Sequence, residues 1–528
     1  MHGMQNAATK AVAAVLLVPS AYVLSLAVGL LLFDYLRVLL LRAKLPPGPL
    51  PLPLFGNTLS FPAEKPWILF EQISKQYKSP IITFWVGRQP TFYLNDCWTA
   101  HELLNKRAAN YASRPRQVVL GELLGGLDNI ASMYYGERWR LHRRLTHGVV
   151  GKQKLQCYRV IQDAESKVTT FRLLEDPGDY VAHLERSATS VMSIIGTGKR
   201  VTKLNDPLTL RVMQVTAEAG EKVVVGRHFP MILETFPWMA SLPPIKNMFC
   251  SGSEDADMYY CMAEEASKRP KDCYFKDVYQ SQAKYGLSKS EVTSLTGNLF
   301  GAGVETSTYT MLSFLLAACC FPDSLAKARE EIASVCGVAR SPRIEDTADM
   351  PHVQAVMKEV FRWRAPAVLG GQPHAPLEDD YIEGFLIPRG SSVTGNLWAI
   401  HRNERDFPEP DLFCPGRHFP DHDLYRQNPT PKRHMAFGWG RRMCAGADLA
   451  EQGVLTQIAR LLWAFDIEGD MDGTTGKPLK LNIFDYTSGF NIRPKPFRCK
   501  FTPRSREIAR TITRERREAE SILQEYEI

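Results

Sequence analysis

A cysteine set among glycines constrains this chain more than any other feature. The segment reads Phe437-Gly-Trp-Gly440-Arg-Arg442-Met-Cys444-Ala-Gly446. Glycine accepts the turned backbone and close approach that a tight loop demands. Such a loop can aim backbone N–H groups at a sulfur, as a metal-bound thiolate needs, although a glycine-flanked cysteine alone is more often a core thiol. Arg442, two residues before the cysteine, can pair with the anionic edge of a cofactor. A loop of this kind needs a large body around it. With 528 residues, 45% of them hydrophobic, the chain can supply that core without staples, and a disordered chain or a disulfide miniprotein is excluded. Eleven cysteines include no C-x-x-C pair, so zinc ribbons and thioredoxin-type sites are not expected, and the other thiols read as mostly reduced and buried in a cytosol-facing protein. The net charge of +7 is spread along the chain without a dense basic stripe, so no nucleic-acid partner is expected.

The segment resembles the haem-ligand signature of the cytochrome P-450 family, F-x-x-G-x-R-x-C-x-G, at every defined position. Further motifs agree. Glu359-Val-Phe-Arg362 has the family's E-x-x-R form, and residues three apart share a helical face. The third partner is matched by Arg417 in Phe413-Cys-Pro415-Gly-Arg417, where Gly416 replaces the usual glutamate. Gly301-Ala302-Gly303-Val304-Glu305-Thr306-Ser307 resembles A-G-x-[DE]-T-[TS]. Small residues let a helix pass close to a flat cofactor, a helical threonine can bond back to its i−4 carbonyl, and an acid beside an alcohol can relay protons. Trp139-Arg-Leu-His-Arg143 matches W-x-x-x-R, with both residues on one face. His374, ten residues before Gly384, stands at the family's propionate-contacting position, although residues 365–372 run one residue longer than the expected form.

The resemblance implies haem b with Cys444 as its thiolate ligand. It places Arg442, Trp139, Arg143 and His374 at the propionates, and Phe437, Gly440 and Gly446 in the loop. Thr306 and Glu305 would be the catalytic proton donors, and Glu359, Arg362 and Arg417 a structural network. Substrate contacts follow only from family position: the loop 117–129, Asn298, Ala302, residues 367–370 with Val368 and Leu369, and residues 486–490 with Thr487. These segments carry few charges apart from Glu122 and Asp128, which points to an apolar or weakly polar substrate. The implied reaction inserts one atom of O2 into a small natural-product intermediate of terpenoid, polyketide or alkaloid type. Electrons would come from an NADPH–cytochrome P-450 reductase, with cytochrome b5 as a second donor, docking on Arg140, Arg144, Lys432, Arg433 and Arg441. A monomer is expected. The details lie nearest to fungal biosynthetic members such as O-methylsterigmatocystin oxidoreductase, through Tyr111-Ala-Ser-Arg-Pro115, Trp398-Ala-Ile-His401-Arg402 and Pro503-Arg504-Ser505. Two other readings compete. A haem-thiolate isomerase or dehydratase would need no reductase, but such relatives typically lack the acid–alcohol pair. A non-catalytic membrane scaffold would have no need of intact motifs.

The rest of the chain frames this site. After a short N-terminal segment, 1–10, residues 11–33 form an uncharged apolar run long enough to cross a bilayer. Arg37, Arg42 and Lys44 follow it against one acid, Asp34, so the C-terminal side should face the cytosol, as a single-pass anchor in the endoplasmic reticulum. Residues 34–56 form a basic, proline-rich and stiff connector. Residues 57–503 make a haem-binding domain, mainly α with a small β portion. It contains a hairpin from 81–86 and 91–94 around Gly87-Arg88-Gln89-Pro90, helices from 97 to 358 including 155–174 and 288–320, and short strands within 381–398. Residues 504–528, dense in Arg and Glu, read as a solvated helix or frayed tail.

Overall fold

The fold is arranged around the helix Lys289–Cys320, 32 residues long. Its start is fixed by a capping box: the Ser288 hydroxyl accepts the Glu291 N–H, and the Glu291 carboxylate accepts the Ser288 N–H. This helix is apolar on most faces because neighbours cover it, among them Tyr180–Thr197, Ser253–Ser267 and Ala447–Ala464. Its second half packs into the main core with Pro351–Trp363 and Ala447–Ala464. Its first half packs into another cluster with Leu155–Glu175 and Tyr180–Thr197. The motif around Thr306 therefore sits where two cores meet.

The computed structural model describes residues 2–124, 126–222, 228–249, 253–470 and 479–527. Met1, Gly125 of the loop 117–129, Cys250 and Ile528 lie outside the described residues, as do the side chains of 11–21 in the expected anchor.

The β portion is small, as expected, and one boundary moves. β1 (Ile81–Val86) and β2 (Gln89–Leu94) pair antiparallel across Gly87-Arg88 alone, so the turn is two residues, not four. Gly87 supplies a positive φ of 58° that this tight turn uses. Pro90 belongs to β2, opposite Trp85 and just before the parallel pairing with β5 (Ser392–Gly395) begins at Thr91. There its missing N–H interrupts no bond to β5. β3 (Asp380–Ile382) and β4 (Phe385–Ile387) form a second hairpin, and β6 (Phe465–Gly469) pairs with β7 (Cys499–Pro503).

The first helix runs from His2 to Arg42, and among the described residues Tyr22–Arg42 is a stretch long and apolar enough to cross a membrane, with none of its hydrophobic window buried. Asp34 does not end it, because Arg88 of the hairpin neutralises that carboxylate at 2.9 Å. Tyr35 donates to the Pro51 carbonyl and Arg42 to that of Gly48, so the helix base is tied to the connector. At the other end Arg506–Leu523 is a helix capped by Ser505. It is solvated on one side only. Ile508, Ile512, Glu515, Ala519 and Leu523 are buried, and the helix packs along Leu155–Glu175. This stripe at helical spacing was hidden in the sequence by the density of charge around it. Glu515 is held by the Ser341 N–H at 2.9 Å and by the Ser341 hydroxyl.

A candidate haem-thiolate site

The cysteine loop folds as its glycines require. Gly438 and Gly440 take φ of 75° and 51°, the region that excludes most side chains. A Cβ on Gly440 would collide with the Leu104 carbonyl. The Gly440 N–H donates to Asn105 Oδ1 at 2.7 Å, and the Cys444 N–H closes the loop onto the Phe437 carbonyl at 2.9 Å. The helix Ala447–Ala464 begins directly after Gly446, so its positive end lies beside the sulfur. Burial pushes the Cys444 thiol up, while the Gly446 N–H, donating to it, and the Arg143 guanidinium pull it down. Yet the side chain is accessible. A group both enclosed and accessible lines an internal hollow. Ala302, at the middle of the long helix, is likewise exposed although Val304 and Glu305 beside it are buried.

The residues expected at the propionates gather near the loop. Arg442 donates to the carbonyls of Ala112 (2.6 Å), Ile130 (3.1 Å) and Met133 (2.7 Å) and lies 4.5 Å over the Trp139 ring. The Trp139 indole donates to the Ile130 carbonyl, and Arg143 to that of Met443. His374 Nδ1 is 2.9 Å from the Tyr111 carbonyl, which makes it the protonated ring nitrogen. Burial, then Arg114, push His374 down to about 3. Arg114 itself was missed at the sequence level. It is buried, donates to the Ala131, Gln372 and Pro373 carbonyls, and sits near enough to Arg442 for the two to repel. Its only sequence signal was a place in Tyr111-Ala-Ser-Arg-Pro115. Among the described residues none of Arg114, Arg143 or Arg442 forms an ion pair. Burial pushes all three guanidinium groups down. Three shielded cations beside one thiol lack negative charge. A haem, with two propionates and an iron that takes a thiolate, fits this donor set.

The second arginine group is complete. Glu359 receives Arg362 at 2.9 and 2.8 Å and Arg417 at 3.0 Å. It also receives the Cys414 N–H and His418 Nε2, both at 3.1 Å, and His418 was not anticipated from sequence. Despite full burial, these cations and donors hold the Glu359 carboxyl well below the usual range. Gly416 also has a structural reason: the His422 ring occupies the space that a Cβ there would need.

On the long helix, the Thr306 hydroxyl donates to the Ala302 carbonyl at 2.6 Å, as the motif predicts. Glu305 is buried, accepting from the Tyr309 hydroxyl at 2.8 Å and from the Asn491 amide at 2.6 Å. Asn298 accepts from Asn129 at 2.9 Å, which brings the loop 117–129 onto this helix. Thr487 closes a turn with Arg493, and Leu369 is half-buried beside Val368, which the main core takes up. Of the expected docking cations Arg140, Arg144, Lys432 and Arg441 are exposed. Arg433 is not: it is buried and stacked 4.1 Å over Tyr425, so it cannot present charge to a partner. The cysteines are free thiols among the described residues, but only Cys97, Cys273 and Cys336 are fully buried.

Residues 46–501 match the cytochrome P450 family model. Cytochrome P450 monooxygenase 253 of Postia placenta is 34% identical over 502 residues, covering 92% of this chain and 94% of that protein. Cytochrome P450 monooxygenase fogE of Aspergillus ruber is 31% identical over 484 residues, 89% of each. Cytochrome P450 monooxygenase macC of Penicillium terrestre is 30% identical over 529 residues, 95% of this chain and 98% of its own. The chain belongs to the cytochrome P450 family, whose members bind haem through a cysteine thiolate. It is an oxidoreductase that incorporates molecular oxygen.

Proposed function

We propose that this protein is a membrane-anchored monooxygenase that inserts one oxygen atom into a small apolar natural-product intermediate, drawing electrons from an NADPH-dependent reductase. The observation that carries the reading is the group of buried Arg114 and half-buried Arg143 and Arg442, none in an ion pair among the described residues, gathered around the loop of an accessible Cys444. When bound, haem would supply the redox chemistry on O2. The chain supplies the rest. Cys444 would hold the iron, Arg442, Arg143, Trp139 and His374 would hold the propionates, and Arg114 would add charge. Thr306, tethered to the Ala302 carbonyl, fixes a hydroxyl on the hollow's side of the helix. Glu305, one residue before Thr306 on the same helix, is held by the Tyr309 hydroxyl and the Asn491 amide, and would serve as the acid that replenishes the Thr306 hydroxyl through solvent.

Exposed Arg140, Arg144 and Arg441 offer the reductase a basic face, while Lys432 is shared with Glu451 at 2.7 Å. The N-terminal helix would anchor the chain in the endoplasmic reticulum membrane through its apolar part before Asp34, with the body on the cytosolic side. Exposed Trp238, Leu242 and Met248, joined to the connector through the Phe55–Phe236 contact, face the lipid. The acid–alcohol pair favours oxygen insertion over a reductase-free isomerisation. The test is a reduced carbon monoxide spectrum and labelled dioxygen incorporation with reductase and NADPH. Cys444→Ala should abolish the long-wavelength thiolate band, and its persistence would refute the ligand. Thr306→Ala should keep the band but uncouple NADPH use from product, and tight coupling would remove Thr306 from the proton path.

A further inference from the structure

Several thiols in this molecule rest against a carboxylate or an imidazole. Cys97 donates to Asp406 at 3.4 Å, Cys336 to Asp346 at 3.8 Å, and Cys414 Sγ lies 3.7 Å from His422 Nε2. Cys319 and Cys499 instead meet each other, Sγ to Sγ at 3.5 Å, although 180 residues separate them in the chain. Among the described residues no other two thiols are in contact. Cys319 stands in the last turn of the long helix Lys289–Cys320, and Cys499 opens β7, opposite Gly469 of β6.

Packed structure holds both sulfurs in place. Phe465 and Ile467 of β6 and Phe501 of β7 are buried in the main core, and Cys319 and Cys499 pack against it. Two residues before Cys499, the Phe497 carbonyl accepts the Tyr180 hydroxyl at 2.7 Å, which ties the approach to β7 to the helix Tyr180–Thr197. A disulfide brings its sulfurs to about 2.05 Å, about 1.5 Å closer than this contact, a gap of the size that side-chain rotation covers. Both cysteines are half-buried, and Cys499 lies between exposed Arg498 and Lys500, so a small reagent reaches the pair from solvent. The bond to Cys499, and then burial, push the Cys319 thiol up, which makes Cys319 a poor first attacker on such a reagent.

We propose that Cys319 and Cys499 are a reversible thiol–disulfide site, oxidised by a small disulfide of the oxidised-glutathione class, that staples the end of the long helix to β7. The Cys499 thiolate attacks one sulfur of the reagent, the reagent's S–S bond breaks, and one glutathione thiolate leaves. Cys319 then gives up its proton and attacks Cys499 Sγ, the mixed disulfide breaks, and a second glutathione thiolate leaves. Each departing thiolate takes up one of the two protons that the cysteines release. The protein thiols lose two electrons and the small disulfide gains them. In a reducing cytosol the bond forms only as oxidised disulfide accumulates, which makes the site a sensor rather than a permanent cross-link. For the test, the full-length, haem-loaded enzyme is equilibrated in glutathione buffers from reduced to oxidised, blocked with N-ethylmaleimide, digested and read by mass spectrometry. A peptide linked through Cys319 and Cys499 should appear in most molecules in the oxidised buffer and vanish in excess reduced glutathione. Exposed Cys157 and Cys261 should carry glutathione adducts alone, a check that the reagent acts. Oxidation should raise the thermal midpoint by about 2–4 °C. That rise should be lost in Cys319→Ser and Cys499→Ser and kept in Cys320→Ser, whose side chain projects about 100° further round the helix. Absence of the linked peptide from the oxidised buffer would overturn the site, as would a link that runs through Cys320. A linked peptide with an unmoved midpoint would overturn the staple.

Discussion

Two groups of buried arginines lie in this molecule and they differ in one respect. Arg362 and Arg417 meet Glu359, which the chain itself supplies, and every oxygen of that carboxylate is occupied. Among the described residues Arg114, Arg143 and Arg442 donate to carbonyl oxygens and meet no carboxylate. A guanidinium is costly to bury in either case. In the first group the cost is offset within the fold, so the group holds the fold together. In the second it is left for an anion from outside, so the group defines a binding site. Residue type is alike in the two groups, although Arg143 and Arg442 are only half-buried, and the missing carboxylate is what separates structure from function.

The comparison is most directly broken at Glu359. Glu359→Gln strands two buried cations and should cost about 3–5 kcal/mol in denaturant unfolding, with little haem-loaded protein recovered. Arg442→Gln should cost the haem-free chain only about 1–2 kcal/mol through its lost carbonyl bonds, yet speed haem transfer to apomyoglobin about tenfold or more. Equal stability losses for the two variants would erase the distinction. Acid should act on the neutral histidines that flank both groups. His401, whose Nε2 accepts the Met435 N–H at 3.0 Å, and His374 are each pushed down to about 3 by burial. Unfolded, each takes its proton near 6.5, so between these values the unfolded chain binds more protons and stability falls as pH falls. The slope is about 1.4 kcal/mol per pH unit for each such group, and His401→Gln should remove its share. Glu291, held down to about 2 after its own burial is outweighed by Arg138, Ser288 and His142, extends the loss below pH 4.5. A midpoint of unfolding flat from pH 6.5 to 4.5 would contradict the neutral assignment. The smallest effect is expected for Trp139→Phe, about 1 kcal/mol or less, read as a few-fold faster haem loss with an unshifted carbon monoxide band.

Much of this was legible in the chain. The loop at Cys444, the i, i+3 pair at Glu359 and Arg362, and the Thr306-to-Ala302 bond depend on residues close in sequence, where backbone geometry leaves few arrangements. Arg433 illustrates the opposite case. It sits in a basic stretch that reads as surface, but only the path of the chain puts Tyr425 beneath it. The C-terminal helix looked like a charged tail because only six of its 18 residues are buried and its partner helix, Leu155–Glu175, lies more than three hundred residues earlier. Arg114 and His418 entered their groups for the same reason. The sequence by itself determined the thiolate loop, the acid–alcohol helix and the family. The tertiary structure alone decided which buried charges are answered and which wait for an anion, because a charge's partner is chosen by proximity in space and its cost by the water excluded around it.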